Sequence, residues 1–392
     1  MEIQKLIKEK KLDSFEKIRD YVKRAPFHIQ VKEKNTLYLL QYNQIKTNFS
    51  YPFTRECRGI ILEKETNRVV CYPFDKFFNH SEKFADLLDL DSTVYYEKID
   101  GSLIKLFFYG DEWRIASNGC IDARDATLHG GVSGRSFMDL FNECKNKNQI
   151  IWDTLDRKYT YMLELCHPDS SIVVQHLTPM LYHIGTRNNI TFKEYSPCGV
   201  YDGMPAAPKS FQFASIQDVL DNLKNLDVAA GGEGNITGDD PEGPDGGLWP
   251  KSIQHEGYVA VDSSFHRNKF KSKLYISLHY LKGRKKTQDF YLDLVINNEA
   301  SEFLAYTDDP ADPVAISAIT ARISSIAESI SLHINERPRL SRKEFAIKYK
   351  GLVYFSVMMN FYDVPETSVE SICAYILELP RAQLSRLVLS VT

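Results

Sequence analysis

Several things are missing from this sequence. None of its seven cysteines, Cys57, Cys71, Cys120, Cys144, Cys166, Cys198 and Cys373, stands in a Cys-x-x-Cys pair. The usual structural zinc spacings are therefore excluded. An odd, scattered set fits a reducing compartment better than a disulfide framework. No run approaches about 18 apolar residues, so no membrane-spanning helix is expected. Met1 to Ile18 is charged throughout and holds no apolar h-region, so no secretory leader is expected. A basic excess is missing too: 48 Lys and Arg against 52 Asp and Glu leave a net charge of -4. That excludes a protein held to nucleic acid by bulk charge, but not one with a local basic cleft. What remains, 43% hydrophobic and 26% charged over 392 residues, is an ordinary soluble chain long enough for two domains.

The densest stretch runs Tyr95-Tyr96-Glu97-Lys98-Ile99-Asp100-Gly101-Ser102. Asp100-Gly101 is a strong turn signal, and Leu103 to Tyr109 reads as a strand rich in β-formers. Lys98 thus sits at a strand–turn–strand corner. Two readings fit the residues alone. Lys98 is a solvent lysine at a hairpin, or it is a nucleophile whose amine attacks phosphorus or carbonyl carbon once its proton is lost.

The rest of the chain is organised around that corner. Residues 2–24 have helical periodicity broken at Leu12-Asp13-Ser14, where Asp13 or Ser14 can cap a second helix that Pro26 ends. Residues 27–48 turn to strands, with Thr36 to Tyr42 the stronger run, and Arg58 to Leu62 pairs with Arg68 to Tyr72. Ser136 to Asn146 and residues 215–226 read as helices. Tyr159 to Cys166 is a strand with Glu164 inside it. Burying even a neutral polar group unpaired costs on the order of 2–7 kcal/mol, so Glu164 faces a wet cleft or has a partner. Met180 to Arg187 is a further core strand. Residues 229–250 are acidic, rich in Gly and Pro and lack Gly-Lys-Ser/Thr, so they read as a mobile insert and not as a phosphate loop. Glu256 opens an apolar strand. Lys269, Lys271 and Lys273 follow on one face by alternation. Helical signals then cover 278–295, Pro310 to Asn335, Arg342 to Tyr349, Ser368 to Leu379 and Ala382 to Leu389. An α+β domain over 1–276 and an all-helical domain over 277–392 are expected.

Lys98-Ile-Asp-Gly resembles the Lys-x-Asp-Gly attachment motif of the covalent nucleotidyltransferases. Ser102 and the strand after it resemble the RNA ligase branch typified by phage T4 RNA ligase 1. Other motifs of that family appear in order: Arg58-Gly, Pro73-Phe-Asp-Lys76-Phe-Phe-Asn79, Glu164 ahead of Pro168 and Ile172-Val173, Tyr182 with Arg187, Glu256-Gly-Tyr-Val, and Lys269-x-Lys271. The resemblance covers about residues 37–275. One departure is Asn118 in Ser117-Asn118-Gly119, where the family carries a basic residue.

The resemblance implies the ligase-type nucleotidyltransferase fold, with antiparallel sheets around a nucleotide site. It implies that Lys98 takes AMP from ATP, passes it to a 5′-phosphate RNA end, and that a 3′-hydroxyl then displaces AMP. On the same resemblance Lys76, Lys269 and Lys271 contact the triphosphate, and Arg58 contacts the nucleotide or the incoming phosphate. Tyr182 and Arg187 line the nucleotide pocket. Glu164 and Glu256 hold Mg²⁺, with Mn²⁺ as the substitute. The implied setting is RNA repair by a cytoplasmic monomer, in the host cytoplasm for a phage-encoded protein, with nicked tRNA among the substrates. The alternatives are a capping guanylyltransferase or DNA ligase using the same lysine, or a noncatalytic RNA-binding protein on a ligase-like fold.

Overall fold

Ser14, not Asp13, caps the second N-terminal helix: its hydroxyl accepts from the Lys17 amide. The computed structural model describes residues 1–43, 46–128, 134–147, 150–197, 203–230, 253–280, 286–297, 299–304, 307, 309–336, 340–364 and 367–389. Helices α1 (Glu2–Glu9) and α2 (Phe15–Lys23) lead into strands β1 (Gln30–Lys34) and β2 (Leu37–Gln41). A short α3 (Pro52–Glu56) precedes β3 (Arg58–Glu63) and β4 (Val69–Cys71), and the four strands form an antiparallel sheet in that order. In β2, Leu37 to Leu40 are all buried. A strand apolar on both faces must be covered on both. Tyr38 and Leu40 pack with Phe15, Ile18 and Val22 of α2, while Leu37 and Leu39 pack with Phe107 and Ala116 of the next sheet. Glu56 ties α1 down: its carboxylate accepts from the Glu2 and Ile3 amides at 2.7 and 2.8 Å.

Two five-stranded sheets follow. Their strands are β5 (Phe78–Asn79), β6 (Val94–Lys98), β7 (Ser102–Tyr109) and β8 (Glu112–Ser117), then, after α4 (Phe137–Lys147), β9 (Tyr159–Cys166), β10 (Met180–Asn188), β11 (Glu194–Tyr195) and β12 (Ser210–Phe211). Helix α5 (Ile216–Ala229) precedes β13 (Gly257–Val261) and β14 (Arg267–Lys271), and α6 (Lys273–Tyr280) follows. One sheet has the order β11-β10-β9-β7-β8 and the other β12-β6-β13-β14-β5, antiparallel except where β14 meets β5. Ile104, Leu106, Tyr161 and Leu163 pack on Leu140 and Phe141 of α4. Tyr95, Tyr258 and Phe270 pack on Val219 and Leu223 of α5. The acidic insert expected at 229–250 lies outside the described residues from 231 onward; Ala229 and Ala230 close α5.

The chain divides into a unit of Met1–Lys282 and a unit of Gly283–Thr392. Helix α6 runs across residue 276, where the sequence pattern sets its boundary. The second unit is helical: α7 (Gln288–Ile296), α8 (Ala300–Leu304), α9 (Ala311–Ile334), α10 (Arg342–Tyr349), α11 (Phe355–Asn360), α12 (Val369–Leu377) and α13 (Arg381–Leu389). Helix α9 buries Ile316, Ile319, Ile323, Ile326, Ala327, Ile330 and Ile334, an i, i+3, i+4 stripe. A β-rich unit followed by helices is the α+β arrangement expected from the sequence. Among the described residues no helix is long and apolar enough to cross a membrane.

Candidate active site

The register of three strands builds the site. In the order β6-β13-β14, Gly257 stands opposite both Lys98 and Lys271. Its φ is +146°, and a Cβ there would fall 2.0 Å from the Phe270 carbonyl oxygen, so the position requires glycine. Glu256 sits immediately before it. Lys98 Nζ donates to Glu256 Oε2 at 2.7 Å, and Lys271 Nζ lies 2.9 Å from Oε1. Glu256 is buried. Burial alone would push its carboxyl up, but Lys271 and Lys98 together hold it below the ordinary value.

Glu164 enters from the neighbouring sheet, on β9 opposite Leu103 of β7 and Tyr182 of β10. A Cβ on Gly101 would meet the Leu165 carbonyl at 2.6 Å and Glu164 Cγ at 3.0 Å, so the Asp-Gly turn can pack here only with glycine. Burial pushes the Glu164 carboxyl up to about 7. The charges of Lys98 and Arg58 pull it down, and those of Glu256 and Asp100 push it up. The acid inside an apolar strand therefore has charged company.

Asp100 fixes the turn that carries Lys98. It is buried, and its Oδ2 accepts from the Val173 and Val174 amides at 3.0 and 2.8 Å. Its Oδ1 accepts from the Tyr275 hydroxyl at 2.9 Å. His176 Nε2 reaches its backbone carbonyl oxygen at 2.5 Å. These partners lie 73 to 175 residues away in sequence, so no local pattern announces them.

The other expected residues are distributed unevenly. Phe77 is half-buried and presents its ring to Arg58, Arg267 and Lys269 at 5.3, 5.6 and 5.7 Å. Its neighbour Phe78 is the one that pins the loop to the core. One guanidinium nitrogen of Arg58, Nη1, is buried without a hydrogen-bond partner. Lys76 points its ammonium among the rings of Phe78, Tyr42 and Phe49, at 5.0, 5.3 and 5.9 Å. Tyr182 lines the same cleft as Lys98. Arg187 does not line it: its guanidinium bonds Asp75 at 2.9 Å and Glu194 at 2.5 Å, and Glu194 also holds Arg267 at 2.5 Å. Lys273 departs from the expected face, because Ser272 ends the strand. The Ser272 hydroxyl accepts from the Tyr275 amide at 2.9 Å and starts α6.

One further group was not singled out by sequence reasoning. Lys105 on β7 is fully buried and donates to the Gly59 carbonyl at 2.5 Å. Burial brings its amine down to about 8, with the Arg58 charge acting in the same direction. Asn118, the departure from the family pattern, lies beside it, with a buried Oδ1 lacking a partner. A charged residue inside an apolar strand, Ile104-Lys105-Leu106, is the same signal that marked Glu164.

As for metals, no cluster of three or more His, Cys, Asp or Glu able to hold one occurs among the described residues. Glu164 and Glu256 are two carboxylates, the number Mg²⁺ commonly takes when substrate phosphates and water complete its shell.

The RNA ligase family of T4 type 1 matches residues 56–275. A protein of Autographa californica nuclear polyhedrosis virus, provisionally named a bifunctional polynucleotide kinase/RNA ligase, is 29% identical over 301 residues, 71% of this chain. The chain spans 39% of that protein's length. The RNA ligase of Rhodothermus phage RM378 is 25% identical over 391 residues, covering 82% of this chain and 83% of that protein. A solved archaeal ATP-dependent RNA ligase is 12% identical with a TM-score of 0.40, over 83% of this chain and 82% of that one.

Proposed function

This chain belongs to the RNA ligase family typified by phage T4 RNA ligase 1, and on that premise we propose that it seals RNA ends at the expense of ATP, with Lys98 as the nucleophile. The observation that carries the proposal is Glu256 held between Lys98 and Lys271.

In the first step the Lys98 amine attacks the α phosphorus of ATP. A P–N bond forms, the P–O bond to pyrophosphate breaks, and the amine gives up a proton. In the resting site Lys98 donates to Glu256 at 2.7 Å, so that carboxylate stands beside the proton the amine gives up. Lys271 and Lys269 then face the charge that develops on departing pyrophosphate, where fixed cations act most strongly. Arg58, with a guanidinium nitrogen unpartnered, can bind phosphate through two parallel hydrogen bonds. Next, an oxygen of a 5′-phosphate RNA end attacks the same phosphorus and the P–N bond breaks. Finally a 3′-hydroxyl attacks the activated 5′-phosphate and AMP leaves.

Glu164 and Glu256 are the residues that would hold Mg²⁺, or Mn²⁺ in its place. Bound there, the ion would stabilise negative charge on the phosphates. The Glu164 carboxyl, with its value pushed up to about 7, ionises readily once a cation approaches. Lys76 and Tyr182 complete the nucleotide site. Residues 1–282 form the adenylyltransferase unit, and the helical unit helps select the RNA, a nicked tRNA being one such substrate. The setting is RNA repair in the cytoplasm, with the chain acting as a monomer.

RNA bearing a labelled 5′-phosphate and a 3′-hydroxyl, incubated with ATP and Mg²⁺, is expected to be joined or circularised, and the Lys98→Ala variant to leave it open. Sealing that persists in Lys98→Ala would refute the assignment. Tight RNA binding without sealing, under every metal tried, would favour a noncatalytic protein on the same fold.

A further inference from the structure

We propose that His176 reads the exocyclic amine of adenine and thereby makes ATP, and not GTP, the nucleotide that charges Lys98; this rests on the nucleotidyl-transfer reading above. Beside Lys98 lies a cleft of about 210 Å³. Ile99, Val174, His176, Tyr182 and Ile253 are among its walls. Among the described residues Lys98 is the one lysine or arginine that lines it; Arg58, Lys76, Lys269 and Lys271 stand outside that lining. A nucleoside triphosphate is divided in the same way. Its phosphates require cations, and its base requires an apolar slot with an aromatic wall. The phosphates therefore go toward Lys271 and Arg58, and the base toward Ile99, Val174 and Tyr182.

The polar groups of the slot decide which base it accepts. Gln175 and Gln254 also line it, but an amide can present either its oxygen or its nitrogen, and Glu97 lines it with a carboxylate that is a rival acceptor to be separated by experiment. His255 is tied through Nε2 to Asp227 at 3.1 Å and stands next to Glu256, at the charged end. His176 has its polarity set by the backbone. Its Nε2 lies 2.5 Å from the Asp100 carbonyl oxygen, and a carbonyl can only accept, so Nε2 carries the hydrogen. In the neutral ring Nδ1 is then an acceptor. It has no partner among the described residues. The segment is also held in place, because the His176 amide donates to Ser171 Oγ at 3.2 Å and the Val173 and Val174 amides donate to Asp100. A fixed acceptor suits the N6 amine of adenine and opposes the O6 of guanine.

The experiment measures the rate of Lys98 nucleotidylation with ATP, with GTP, and with purine riboside triphosphate, which differs from ATP only in lacking the amine. The wild type should favour ATP over the purine analogue by about fivefold to tenfold, the worth of one neutral hydrogen bond. It should favour ATP over GTP by about a hundredfold. His176→Gln retains a donor for the Asp100 carbonyl but no acceptor at Nδ1, and should use ATP and the purine analogue equally. His176→Asn retains an acceptor near Nδ1 but loses the brace; it should slow with both nucleotides and keep the preference. No preference in the wild type, or a preference that survives in His176→Gln, overturns the proposal. So does its loss in His255→Gln or Glu97→Gln with His176 intact. Failure of Lys98 to label with any of the three nucleotides is a different result: it removes the nucleotidyl-transfer reading, and this proposal with it.

Discussion

Residues 1–282 and residues 283–392 bury their polar groups differently. Among the described residues, every buried polar or charged side chain but one belongs to the first unit, and the exception is Asp312. Asp312 serves the fold of its own unit: its carboxylate accepts from the Tyr291 hydroxyl at 2.6 Å, from Lys286 at 3.0 Å and from Thr307. In the first unit Glu256, Lys105, Asp100 and Lys76 are all sunk below the surface, and three of the four lie in or beside the motifs that carry chemistry. Burying such groups is costly unless each is paired or needed. The difference teaches where to look: the first unit buries charge both for the fold, as in Glu56 and the Arg187–Glu194–Arg267 group, and in the motifs that carry chemistry, while in the second unit packing of apolar helix faces accounts for the structure.

Three substitutions can break or sharpen that contrast. The largest effect is expected from Lys98→Ala, which should reduce covalent nucleotide transfer to background while leaving thermal unfolding close to that of the wild type. A large loss of stability would mean that Lys98 is held for the fold, as Asp312 is. Next comes Asp312→Ala. Removing the buried carboxylate that accepts from the Tyr291 hydroxyl, Lys286 and Thr307 should cost about 3 kcal/mol in urea unfolding, with Lys286 keeping Asp309 at 3.1 Å and the rate of Lys98 labelling unchanged under folding conditions. A fall in labelling would show that the helical unit contributes to the chemistry.

The smallest effect concerns pH. Burial raises the folded value of Glu164 above its ordinary 4.5 to about 7. Its contribution to stability is thus full below about 4.5 and is lost as pH rises through 7. Glu164→Gln cannot ionise, so it should melt above the wild type at pH 8, by on the order of 2 °C, and match it at pH 4.5. The opposite sign, with the variant weaker at pH 8, would mean that the ionised carboxylate is stabilised by Lys98 and Arg58 more than it is penalised by burial.

How legible was this in the sequence? Lys98, Glu256, Lys269 and Lys271 lie in short local patterns, and Lys98, Glu256 and Lys271 meet because Gly257 pairs with a lysine on each side. The long helix α9 was plain from its isoleucine spacing. The failures have physical causes. Alternation carried the lysine strand on to Lys273, whereas the Ser272 hydroxyl stops the strand by capping α6; a serine at a helix start was the missed signal. Arg187 resembles a pocket residue in sequence, but Glu194 and Asp75 claim its guanidinium. Asp100 reads as a turn residue, yet its role comes from Val173, His176 and Tyr275, which only the folded chain brings to it.

The measurement that tests the central claim most directly is mass spectrometry of peptides from the protein after incubation with ATP and Mg²⁺ and denaturation. AMP on the peptide that contains Lys98, absent from Lys98→Ala, is the predicted result. AMP on Lys105 or another lysine with Lys98 bare, or no adduct from folded protein across pH and metal, would contradict it.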